Sequence, residues 1–143
     1  MKKKLNCVLL VDDNESDNFL HKRVLEKAGI ANHIDVALNG QEALDFLIEK
    51  GRHGNPHSNF NQPELILLDI NMPVMDGWEF LEVYNKLEAT QKAKIVFIML
   101  TTSLNPSDKV KAETLLDSNC FRYKPLTTGM INEIMENHFP EYL

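Results

Sequence analysis

Two runs in this chain, ELILLD ending at Asp69 and KIVFIML ending at Leu100, are apolar without alternation. A strand reads this way only when both of its faces are buried, so the runs predict central strands of a sheet covered on two sides. They belong to a set of five: Cys7–Val11, Ile34–Ala37, Leu65–Asp69, Ile95–Leu100 and Cys120–Tyr123. Longer segments of helical period separate them, the pattern of βαβ units and a parallel sheet. Right-handed crossovers leave few arrangements, and for five strands the natural one is the flavodoxin-like (βα)5 α/β fold, a three-layer sandwich with sheet order 2-1-3-4-5.

The helices between the strands carry their own start and stop signals. Asn14 is placed to cap a first helix with Leu20, Val24 and Ala28 on one face and Gly29 at its end. Ala43, Leu44, Leu47 and Ile48 mark the second helix, and Trp78, Leu81, Tyr84 and Leu87 the third, after the turn at Asp76-Gly77. Asn105-Pro106 opens a weakly amphipathic fourth helix to about Leu116, and the last, from about Thr127 to His138, buries Met130, Ile131, Ile134 and Met135. Between the second helix and third strand, Gly51 to Pro63 reads GRHGNPHSNFNQP, a polar stretch expected to form an extended surface loop.

With 143 residues the chain is expected to be one domain over 1–143, without a separate output domain. A net charge of −6 argues against nucleic acid as a partner. No apolar run reaches the roughly 20 residues of a membrane helix, and the start lacks a signal-peptide pattern, so the expected compartment is the cytoplasm. Cys7 and Cys120 fall on strands three steps apart, roughly 14 Å against a limit of ~7 Å for bridging, and are expected to be reduced core residues.

In such sheets the reactive groups gather at the carboxyl ends of the strands. Asp12-Asp13 end the first strand, Asp69 the third, Thr101 the fourth, and Lys124-Pro125 follow the fifth. Carboxylates brought together there repel, by about 4 kcal/mol for a pair ~4 Å apart at an effective dielectric of about 20, so the cluster needs a cation. Oxygen donors suit Mg²⁺ better than zinc. Asp69, on a central strand and already ionised, is the candidate nucleophile toward phosphorus; Lys124 and the Thr101 hydroxyl are candidates to hold phosphoryl oxygens.

The segments VLLVDDNESD, LILLDINMPVMDGWEFL, IMLTTS and FRYKP, in this order and spacing, closely resemble the receiver domain of bacterial two-component response regulators, especially single-domain, chemotaxis-regulator-like ones. The resemblance covers essentially the whole chain. It implies that Asp69 is phosphorylated, that Asp13 binds Mg²⁺ directly and Asp12 through water, and that Asn71 contributes its backbone carbonyl. It implies a cis Lys124-Pro125 peptide, a switch formed by Thr101 and Phe121, and a partner-binding face of helix four, strand five and helix five. The implied phosphodonor is a histidine on a sensor kinase or phosphotransfer protein. The chain itself would catalyse the transfer, would not be a classical enzyme, and would be a monomer or weak homodimer. The long loop resembles that of phytochrome-associated regulators.

Each residue also has a bland reading. Asp-Asp alone is usually a solvated turn, Thr101 a strand-end hydroxyl and Lys124 a surface lysine, so only their convergence promotes them. His53 and His57 read as solvated loop histidines, and His21, with no adjacent acid, as no phosphohistidine. A flavin-binding protein of this fold would place amides, not acids, after strand one. An aspartyl-phosphate phosphohydrolase would carry its Asp-x-Asp near its first strand, and a pseudo-receiver would lack part of the acid, threonine and lysine set.

Overall fold

The computed structural model describes residues 4–53, 63–86, 95–102, 104–116 and 120–142, with the side chains of residues 49–53 and 115 left aside. Five parallel strands, β1 (Leu5–Val11), β2 (Ala31–Ala37), β3 (Leu65–Leu68), β4 (Val96–Thr101) and β5 (Phe121–Tyr123), form one sheet in the order β2-β1-β3-β4-β5. The helices α1 (Glu15–Ala28), α2 (Gly40–His53), α3 (Gly77–Asn85), α4 (Pro106–Leu115) and α5 (Thr128–His138) connect and follow them. This is the expected flavodoxin-like order.

Continuous apolarity in the central strands has its reason in the two layers. Val8, Leu10, Leu65, Leu67, Ile98 and Leu100 face Leu25 of α1 and Ile131, Ile134 and Met135 of α5. Their neighbours Leu9, Val11, Ile66, Leu68, Phe97 and Met99 face Ala43, Leu44 and Leu47 of α2, Phe80 and Tyr84 of α3, and Ala112 of α4. Because side chains alternate across a strand, every residue of β3 meets a core. Within the second layer the Tyr84 and Phe97 rings meet edge to face at 4.9 Å.

Several boundaries differ from those read in the sequence. β2 begins three residues earlier, at Ala31; as an edge strand it is buried unevenly, and exposed Asn32 and His33 conceal it in the pattern. α2 runs on to His53, so Gly51 to His53 are helical rather than loop. A glycine costs about 1 kcal/mol in a helix interior, which need not stop a helix already propagating. Residues 54–62, the rest of the expected loop up to Pro63, and Leu87 lie outside the described residues.

The expected inward face of α1 was wrong at one position. Leu20 is 56% exposed, while Asn18, His21 and Leu25 are the buried residues and Val24 and Ala28 pack partly against the core. The upper half of that face lies beside the acidic strand ends, where the Asn18 amide donates to the Asp12 carbonyl, so apolar periodicity alone misplaces it. Both cysteines are buried and in no disulfide, and the Cys7 thiol donates to Asp35 Oδ2 at 3.3 Å.

The β3–α3 connection is held from two sides. Asp76 caps α3 in a reciprocal capping box with Glu79, and the Gly77 amide donates to the Ile70 carbonyl at 2.8 Å. A Cβ on Gly77 would stand 2.5 Å from the Asp69 carbonyl oxygen and 3.1 Å from Ile70 Cα. Only glycine lets α3 start against the backbone of Asp69. Three residues earlier Val74 adopts φ 69°, a left-handed conformation that a β-branched residue rarely takes.

Gly77→Ala is therefore expected to lower unfolding free energy by about 1–3 kcal/mol, as overpacking against backbone does. Val74→Asn is expected to raise it by about 1 kcal/mol, because asparagine tolerates the left-handed region. Urea titrations of the three proteins check both; a neutral Gly77→Ala would remove the close-approach argument.

Candidate functional site

The acidic strand ends meet a lysine. β1 delivers Asp12 and Asp13, β3 delivers Asp69, and carboxylate oxygens of these three lie within 4.8 Å of one another. Lys124 follows β5, where its backbone amide donates to the Thr101 carbonyl at 2.9 Å and its peptide bond to Pro125 is cis. Its ammonium donates to Asp12 Oδ2 at 2.5 Å, Asp17 Oδ2 at 2.9 Å and Asp69 Oδ2 at 3.4 Å. One cation thus stands among three carboxylates from α1 and two strand ends.

Local backbone bonds aim these groups. Asp12 Oδ1 accepts the Asn14 amide at 2.9 Å, and the Asn18 side-chain amide donates to the Asp12 carbonyl at 2.8 Å. Asp69 Oδ1 accepts the Ile70 amide at 2.8 Å, leaving Oδ2 toward Lys124. Asn14, capping α1, accepts the Asp17 amide at 3.0 Å, which fixes Asp17 in the first turn.

Burial raises the Asp69 carboxyl above the usual carboxylate range, the Lys124 ammonium opposing and the Asp12 charge adding. For Lys124, burial alone would lower the value; hydrogen bonds to Asp12 and Asp17 and the field of Asp69 overcome it, and the ammonium is held firmly charged. Beneath them Asp12, Asn18, His21 and Asp69 line a small cavity, into whose wall Asn18 brings a buried Oδ1 with no hydrogen-bond partner among the described residues. Burial holds His21 below its ordinary value, against the pull of Asp17.

The donor set suits a hard divalent cation. Opposite oxygens around Mg²⁺ stand about 4 Å apart, so three oxygens within 4.8 Å need little movement to share one ion. Asn71 is exposed in the β3–α3 loop, and Thr101 is wholly buried at the end of β4, the strand beside β3. Phe121 is half-buried, its ring edge-on to Tyr123 at 5.3 Å. Asp12, Asp13, Asp69 and Lys124 are thus brought together. Reasoning from the sequence missed Asp17 and Asn18. Asp17 carries a legible signal, an acid in the first turn of the helix that Asn14 caps; Asn18 carries none.

Comparison with known proteins matches residues 8–135 to the response regulator receiver domain. The chain belongs to this family, whose members serve two-component signalling and interact with histidine kinases or phosphotransfer proteins. Among its relatives is response regulator Rcp1 of Synechocystis, 33% identical over 117 residues, covering 82% of this chain and 75% of Rcp1. A two-component response regulator from Cytophaga hutchinsonii superposes with a TM-score of 0.80 at 30% identity, over 94% of this chain and 97% of that one. The phosphorylated cyanobacterial phytochrome response regulator RcpA gives 0.66 at 26% identity, over 95% and 92%. Among the described residues no helix is long and apolar enough to cross a membrane.

Because burial opposes ionisation of Asp69, its charged form costs the fold stability at pH values above its folded pKa, and that cost disappears below the unfolded value. Without divalent metal, Asp69→Asn is expected to melt above the wild type at neutral pH, the gap narrowing as pH falls through the carboxylate range. Calorimetric melts across that range check this; a gap that widens on acidification would reverse the sign.

Proposed function

We propose that this chain is a phosphoacceptor whose Asp69 receives a phosphoryl group from a histidine on a sensor kinase or phosphotransfer protein. The geometry that supports this reading most is the Lys124 ammonium lying 3.4 Å from Asp69 while Asp12 and Asp13 stand beside the same carboxylate. An Asp69 oxygen attacks phosphorus, the phosphorus–nitrogen bond breaks, and the imidazole nitrogen keeps the electron pair. No base is required, since the attacking group is a carboxylate.

Asp12, Asp13, Asp69 and the Asn71 backbone carbonyl would hold Mg²⁺, which supplies positive charge to the phosphoryl oxygens. Lys124 contributes a charge-assisted hydrogen bond to one of those oxygens, and the Thr101 hydroxyl a second bond. The chain catalyses its own phosphotransfer and is not a turnover enzyme. RcpA, described as phosphorylated, is a relative in which such a state exists.

The response passes through Thr101 and Phe121 to the face of α4, β5 and α5, where a downstream protein docks. Moving such a switch from 1:99 to 99:1 takes about 5.5 kcal/mol, within reach of a few charge-assisted bonds at ~1.5–3 kcal/mol each. Exposed Val110 on α4 and Tyr123 on β5 give that face apolar surface to offer.

With acetyl phosphate and Mg²⁺, intact mass spectrometry is expected to find one phosphoryl adduct on the wild type and none on Asp69→Asn. An adduct on both proteins would move the acceptor elsewhere.

A further inference from the structure

Asp17 accepts from Lys124 at 2.9 Å, between the distances of Asp12 and Asp69, yet it is not one of the three carboxylates that can share a metal ion. That difference gives it a task. Asp12 Oδ2 at 2.5 Å and Asp69 Oδ2 at 3.4 Å are the ammonium's other acceptors, and both residues belong to the candidate metal cluster. A divalent cation entering the cluster therefore competes with Lys124 for two of its three partners and repels it. The Asp17 carboxylate is the partner left over.

We propose that Asp17 is a positioning residue that parks the Lys124 ammonium. It draws the amine away from Asp12 and Asp69 so that Mg²⁺ can take them, while keeping it beside the space where the phosphoryl group arrives. The inference rests on the metal-assisted phosphoacceptor reading given above. An ammonium has three donors, so one remains on Asp17 while two turn toward the incoming oxygens. The tether is preformed: the Asn14 cap fixes the Asp17 backbone, and the Lys124 side chain is only 9% exposed, against 31% for Asp17. Asp17 lies at the site's open side, where it can move with the amine. A bland alternative exists, since an acid in a first helical turn favours the helix whatever it touches. That role would be indifferent to Lys124.

The test is a double-mutant cycle read by calorimetric titration with Mg²⁺ alone, on wild type, Asp17→Asn, Lys124→Met and the double variant. In the wild-type background Asp17→Asn is expected to weaken Mg²⁺ binding by about 5-fold; in the Lys124→Met background the loss shrinks to about 2-fold or less. Asp17→Glu, which keeps the charge, is expected to restore most of the affinity. Circular dichroism verifies folding, and Asp17→Ser serves if Asp17→Asn does not fold. Equal losses in both backgrounds, or none in either, would overturn the positioning role and leave the phosphoacceptor reading standing. A wild type that takes up no Mg²⁺ would overturn the metal reading itself, and the inference with it.

Discussion

Carboxylates gathered at the ends of neighbouring strands destabilise a fold unless a cation is among them, and here the Lys124 ammonium is that cation. The arrangement links distant parts of the chain, since Lys124 follows β5 whereas Asp12 and Asp17 precede and open α1. Much of the surrounding backbone serves it. The Thr101 carbonyl holds the Lys124 amide, Asn18 holds the Asp12 carbonyl, and Asn14 accepts from Asp17. The ammonium is a partial substitute for a metal ion, because its single charge faces several carboxylates and burial still raises the Asp69 carboxyl.

The site's exactness on the other side comes from backbone contact rather than charge. Gly77 lets α3 begin against the Asp69 carbonyl, the Asp76 cap fixes that helix start, and Val74 accepts a left-handed turn between them. A short connection between a central strand and its helix leaves little freedom, so unfavourable local geometry is tolerated where it directs the carboxylate. The Trp78 indole donates to Asp108 Oδ1 at 3.1 Å, so the same helix reaches across to α4, which forms part of the proposed output face.

Central strands were the most legible part of the sequence, because burial on both faces leaves an uninterrupted apolar run that little else produces. The edge strand β2 and the inner face of α1 were legible only in part. Their burial is uneven, with exposed His33 on one and buried polar Asn18 and His21 on the other. Apolar periodicity measures contact with an apolar core and is silent where an element packs against polar groups. For the same reason Asp12, Asp13, Asp69 and Lys124 could be chosen from strand ends, while Asn18 could not.

Apolar runs separated by helical periods, read along the chain, were enough to choose the sheet order among a few arrangements and to expect the acids and the lysine in one crevice, because connection handedness and strand direction follow from local sterics. Tertiary structure alone decided which carboxylate holds Lys124 and by how much. The ammonium's choice among Asp12, Asp17 and Asp69 depends on differences of less than 1 Å between side chains brought together by four successive crossovers, and no spacing in a sequence encodes distances that fine.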